Sequence, residues 1–173
     1  LVVAGLFDNE EIGSRSKQGA DSSLLKDIIM KIGAAFGMEE TEVNDMLRGG
    51  FLLSIDGAHD VHPNYTNKSD ITNDVILGKG ITVKTSASQR YLSDSEATAV
   101  VMQLCKKTDI PYQVQVNRSG MPGGQTLGPI VVSYLPMQGA DIGIPMLAMH
   151  SARELADMRD YQALVIFLKI FSA

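Results

Sequence analysis

The chain alternates short apolar runs with stretches of helical spacing. Leu1-Val-Val-Ala-Gly-Leu-Phe ends at Asp8-Asn9, the pattern of a buried strand that delivers polar residues at its C-terminal end. Asp21-Ser22-Ser23 opens a helix, because Leu24, Leu25, Ile28, Ile29 and Ile32 recur behind it at helical spacing. Thr41 is the expected cap of a short helix that runs to Arg48 and stops at Gly49-Gly50. Residues 51–55 predict a second buried strand, again ending in an acid, Asp56. Residues 59–80 are rich in Pro, Asn, Asp and Gly and predict no regular element. Ile81-Thr-Val-Lys-Thr alternates as a strand should. Ser93 and Glu96 have the spacing of a capping box before a helix to about Lys107. Residues 112–117 alternate cleanly, which predicts a strand with one wet or interface face. Beyond them come a turn at Pro122-Gly-Gly, a short helix over 127–135, a strand over 140–145 and a long amphipathic helix over 152–171.

Strands alternating with helices predict an α/β fold, a mixed β-sheet with helices on both faces. Ligands of such folds bind beyond the C-terminal ends of the strands. Asp8, Glu10, Glu11 and Asp56 fall at those ends. The 173 residues suffice for one domain, with about two-thirds of the unfolded surface buried on folding. The chain opens in mid-strand, which predicts a fragment whose sheet is incomplete at the N-terminus.

Composition narrows the chemistry. The chain is 45% hydrophobic and 20% charged, with a net charge of −5 and no basic block. It therefore offers no footing for a phosphate backbone or an anionic membrane surface, and no run near 18 apolar residues for a span. The single Cys105 cannot form an internal disulfide, which fits a reducing, cytoplasmic compartment. Asn64, Asn67 and Asn117 each begin a glycosylation tripeptide, a pattern too short to carry weight without a secretion signal.

The candidate chemistry lies in four segments. Asp8-Asn9-Glu10-Glu11 sets adjacent carboxylates at a strand end, a repulsive arrangement unless a cation compensates it. Ser54-Ile-Asp-Gly-Ala-His and His62-Pro-Asn-Tyr place an acid and two imidazoles after the next strand. Leu147-Ala-Met-His-Ser-Ala-Arg-Glu places a third imidazole at a strand-to-helix junction. In this order and spacing, the segments resemble the successive motifs of the aspartyl aminopeptidase/aminopeptidase I family of dinuclear-zinc metallopeptidases. Gln89-Arg-Tyr and Gly123-Gly-Gln-Thr-Leu-Gly-Pro-Ile resemble further family segments, so the resemblance covers essentially the whole chain.

The resemblance implies that residues 1–173 are the C-terminal part of a single zinc-aminopeptidase-like catalytic domain that removes the N-terminal residue from peptides. It implies Glu10 as the general base, Glu11 and His150 as ligands of one zinc, and Asp56 as a ligand of the second. Zinc takes carboxylate oxygen and imidazole nitrogen at about 2.0–2.2 Å. Two such ions polarise a carbonyl and acidify a bridging water, whose proton an unligated carboxylate can take. Lys84, His62, Gly123 and Gly124 are the implied substrate-binding positions, with Lys84 placed to meet a substrate carboxylate. Asp60 stands where the family more often has a small residue. A family histidine and a bridging aspartate would precede Leu1, as would an oligomerisation domain, so the isolated chain is expected to be inactive and its parent a homo-oligomer. Two rival readings stay open: a catalytically inactive assembly or binding module, and a mononuclear site using Glu11 and His150 with a further ligand.

Overall fold

A computed structural model of the chain describes residues 1–121 and 123–173; the turn expected at Pro122-Gly-Gly rests on Pro122, which lies outside them. In chain order the elements are α1 (Leu24–Ala35), α2 (Glu40–Arg48), β1 (Phe51–Ile55), β2 (Ala58–His59), β3 (Ile81–Thr85), α3 (Ser95–Lys107), β4 (Tyr112–Val116), α4 (Leu127–Val132), β5 (Gln138–Gly143), β6 (Pro145–Leu147), β7 (Leu155–Ala156) and α5 (Met158–Phe171). Single 3-10 turns lie at Glu10–Ile12 and Thr66–Lys68. The chain folds as two compact units, residues 1–52 with 127–138 and residues 53–126 with 139–173.

The first unit is helical. Ile29 of α1, Val43 and Leu47 of α2 and Val131 of α4 are buried with Ala20 and Leu135 in one apolar cluster. A Cβ on Gly33 would come within 2.3 Å of Val43 Cγ2, so glycine lets α1 and α2 approach. The start of α2 corrects the expected cap: Glu39 precedes the helix, and its amide donates to Glu42 Oε2 at 2.8 Å. Thr41 lies inside the first turn.

Residues 1–7 are not a strand. They are exposed extended chain, with Leu1 81% and Leu6 102% accessible. An apolar run becomes a strand only when a ladder partner takes its amides and carbonyls, and no described strand pairs with it. Asp8, Glu10 and Glu11 therefore follow irregular chain and not a strand end.

The second unit carries a four-stranded sheet ordered β1-β5-β3-β4 and a three-stranded sheet ordered β2-β6-β7. β3 runs parallel to β4 and antiparallel to β5, the mixed sheet that the α/β reading requires. Ile81, Thr82, Val83 and Lys84 are all buried, so both faces of this central strand are covered. Its polar–apolar alternation therefore does not divide water from core. Three boundaries differ from expectation. Asp94 caps α3 by accepting from the Ala97 amide at 2.8 Å, while Ser93 Oγ instead accepts from the Asp141 amide at 2.8 Å. The strand expected over 140–145 divides at Ile144 into β5 and β6, before Pro145, which has no N–H to continue a ladder. The last helix starts at Met158, after β7 and an Asp157 cap, so Arg153 and Glu154 lie in the loop before it. Among the described residues no helix is long and apolar enough to cross a membrane.

The first turn of α5 supplies a buried carboxylate that orders a distant loop. Asp160 accepts from the Gly78 and Gly80 amides, both at 2.7 Å. Gly80 is required there: its φ is +100°, and a Cβ would sit 1.9 Å from the Pro111 carbonyl oxygen. Asp160→Ala should destabilise the protein by about 1–3 kcal/mol for each amide left unpaired. Urea unfolding measures this; a midpoint within error of wild type would mean that water replaces the carboxylate.

Candidate functional site

In the first unit, Glu10 and Glu11 sit on a tight turn held by unusual backbone. Asn9 and Ser14 flank it with φ of 60° and 61°, and Gly13 closes it with φ of 102°. The Ser14 amide returns to the Asn9 carbonyl at 2.8 Å, and Gln18 Nε2 donates to Asp8 Oδ2 at 3.2 Å and Asn9 Oδ1 at 3.1 Å. Gly19 lets the returning chain pass Ser14, whose carbonyl oxygen would lie 2.1 Å from an added Cβ. The turn thus fixes two consecutive carboxylates in place, Glu10 half-buried and Glu11 exposed.

The second unit holds the other predicted positions. Asp56 leaves the end of β1 as expected. Its Oδ1 accepts from the Gly57 amide at 2.6 Å, and its Oδ2 lies 3.5 Å from Lys84 Nζ. Lys84 is only 3% exposed, with its ammonium 5.6 Å from the centre of the Tyr91 ring. A buried ammonium needs compensating charge, and Asp56 is one source. Asp141 lies directly across the β3–β5 pair from Lys84 and is fully buried. Burial pushes the Asp141 carboxyl up, while Ser54, the Leu92 amide, Thr126 and Lys84 pull it down. The sequence reasoning missed Asp141. Its signal was an acid inside the apolar Ala140-Asp-Ile-Gly-Ile run.

The three histidines have different settings. His59 is lowered from its ordinary pKa by burial first, then by Lys84 and His150, against an opposing pull from Asp56. It is thus a neutral imidazole within electrostatic reach of both other positions. His150 lies in the turn between β6 and β7 with φ of 68°, close to Ala148 at 56°. Its amide donates to Glu154 Oε1 at 2.6 Å, which holds the turn. His62 Nδ1 accepts from the Asn64 amide at 3.1 Å, and its ring lies 5.0 Å from that of Tyr65.

His59, His62 and Gly123 line one cavity of about 320 Å³, together with Tyr65, Lys68 and Arg118. Gly123 is there for space: a Cβ would come 1.9 Å from Asn117 Nδ2. Gly124 follows it on the surface. For a metal, the donor kinds are suitable, since carboxylates and a neutral imidazole are zinc ligands. Among the described residues, however, no three His, Cys, Asp or Glu side chains converge on one point.

Comparison with known proteins adds to this geometry. The family model described as aminopeptidase I zinc metalloprotease (M18) matches residues 1–172. The "Probable M18 family aminopeptidase 2" of Clostridium novyi is 44% identical over 167 residues, covering 96% of this chain and 39% of that protein. The cryo-electron-microscopy structure of the Ape4 and Nbr1 complex is similar with a TM-score of 0.90 at 37% identity, over 95% of this chain and 31% of that one. The S. cerevisiae mApe1 dodecamer gives a TM-score of 0.78 at 27% identity, over 96% of this chain and 37% of that one. The chain therefore spans about two-fifths or less of the length of these relatives.

Proposed function

The chain belongs to the aminopeptidase I zinc metalloprotease (M18) family, and on that premise we propose that the complete protein is an aminopeptidase removing the N-terminal residue of peptides at a dinuclear zinc site. The observation that carries the proposal is the family match along residues 1–172, which contain all four motif segments in order.

In this reading Glu11, Asp56 and His150 are zinc ligands, and the remaining ligands come from the rest of the complete protein. Zinc would supply a Lewis acid for the scissile carbonyl and lower the pKa of a bound water. Glu10 takes the proton of the attacking water and passes it to the leaving amine. The Asn9–Gly13 backbone helps by holding that carboxylate still on its turn. Glu154 holds the His150 turn through its bond to the His150 amide. Lys84 presents a buried, preformed positive charge beside Asp56, able to attract a carboxylate on the substrate's first residue. His62 and Gly123 wall the neighbouring cavity, where the peptide lies, and Gly124 borders it. The dodecamer among the similar structures supports a homo-oligomer. The net charge of −5 without a basic block speaks against nucleic acid or an anionic membrane as a partner. The buried, free Cys105 suits a cytoplasmic protein. The test is release of the first residue from unblocked peptides by the complete protein, with metal content measured in parallel. Activity untouched by complete metal removal would refute the proposal.

One observation favours a second reading for the chain taken alone: its described residues bring no three metal donors together. A catalytic zinc normally needs three protein ligands. The isolated 173-residue polypeptide should therefore hold less than one tight zinc per chain and leave aminoacyl anilides intact. Dialysis against micromolar zinc, elemental analysis and a turnover assay check both. Two tight zincs with turnover would show that other side chains complete the site.

A further inference from the structure

The cavity beside His59 has an uneven distribution of donors and acceptors. Two carboxylates stand in its wall, and both are engaged by the loops that build it. Asp60 Oδ2 accepts from the Leu77 amide at 2.9 Å. Asp70 Oδ1 accepts from the Thr72 and Asn73 amides, both at 3.0 Å, and from the Thr72 hydroxyl at 2.8 Å and Asn73 Nδ2 at 2.9 Å. Asp70 is a local loop staple, and its pKa is lowered to about 2 by these bonds, Asn73 first.

The donors are differently placed. His62 Nδ1 accepts from the Asn64 amide, so in the neutral ring the proton sits on Nε2 and makes that atom a donor. Lys68 Nζ lies over the Tyr65 ring, 5.0 Å from its centre. Arg118 spends one donor, Nη1, on the Asn67 carbonyl, and a guanidinium has five. All three surround the Tyr65–Lys68 turn, and all three line the cavity. His59 also lines it, and its imidazole feels Lys84, His150 and Asp56.

We infer that this cavity is a carboxylate subsite that takes the C-terminal carboxylate of a short peptide substrate. The inference rests on the aminopeptidase reading for the direction of the peptide. With its amine end and scissile bond near Asp56 and His150, the chain's remaining length runs from His59 towards Lys68 and Arg118. A short peptide then ends where the donors are. The C-terminal carboxylate is the one charge that every short peptide carries, whatever its side chains. Lys84 offers a separate, buried cation beside Asp56 for the first residue's side chain, so the two charges do not compete for one group. A guanidinium matches a carboxylate with paired N–H groups, which makes Arg118 the main anchor and Lys68 the auxiliary charge.

The experiment uses the complete, zinc-loaded protein and tripeptides with a neutral first residue, each as the free acid and as the C-terminal amide. The free acid should be cleaved with a kcat/KM about tenfold or more above the amide's, mostly through KM, as expected for losing charge-assisted hydrogen bonds. Arg118→Met should bring that ratio close to one, Lys68→Met should lower it, and Arg118→Lys should restore part of it. Lys31→Met, on the exposed surface of α1, should leave it unchanged. Equal rates for acid and amide overturn the inference, and so does a preference that survives Arg118→Met. If no peptide is cleaved, the aminopeptidase reading fails, and calorimetry with the same acid and amide pair decides the subsite: tighter binding of the acid, lost in Arg118→Met, sustains it, and equal binding ends it.

Discussion

Glu10→Gln in the complete protein should lower kcat by about a hundredfold or more while leaving zinc content near wild type. The two halves of this result separate a base from a ligand. Glutamine keeps the length and volume of the side chain and leaves in place the backbone bonds that shape the turn at Asn9, Gly13 and Ser14. It removes the group that can accept a proton from water. Because Glu11 is untouched, the carboxylate assigned to zinc remains. Michaelis kinetics and elemental analysis on the same preparation are sufficient. Wild-type kcat with Gln at position 10 would move the base elsewhere, and a parallel fall in zinc would make Glu10 a ligand.

The sequence was most legible where a local rule acts alone. The five-residue runs at β1 and β3 were read to the residue, because each is a continuous apolar or alternating segment with ladder partners nearby. Asp56 was placed correctly at a strand end for that reason. The run at residues 1–7 is equally apolar, but no described strand pairs with it, so hydrophobicity alone misassigned it. Caps were misjudged where two polar residues compete within a few positions. Ser93 is drawn to the Asp141 amide, which leaves Asp94 to cap α3, and no local pattern announces a bond across that sequence distance. The same holds for the buried side of the candidate site. Lys84 and its neighbour Asp141 meet only through the antiparallel register of β3 and β5, a tertiary fact invisible to spacing. The donor imbalance of the cavity is equally non-local, because it depends on which amides Asp60 and Asp70 accept from.

Replacing the metal donors should produce the opposite signature from Glu10→Gln, with zinc and activity falling together. The informative variants are Glu11→Gln, Asp56→Asn and His150→Asn. Each removes a metal-binding atom or its charge while respecting the local structure. Asn at 56 can still accept from the Gly57 amide, which an Ala could not. Asn at 150 tolerates the φ of 68° better than most residues, so the turn tied to Glu154 survives the loss of the imidazole. Asp56→Asn has one further consequence, since the buried Lys84 loses the charge of the carboxylate 3.5 Å away. Its thermal midpoint should drop even without zinc, whereas that of His150→Asn should drop further when zinc is present to be lost. Outer partners of a metal ligand cost roughly 10–100-fold in affinity when removed, so loss of a direct ligand should exceed that range. His62→Ala is the contrast: its ring bonds the Asn64 amide and walls the cavity, so zinc should stay while KM rises. Zinc titration of the four variants against a competing chelator gives the ranking. If His62→Ala strips zinc and His150→Asn does not, the two imidazoles have exchanged roles, and the metal lies on the cavity side of His59.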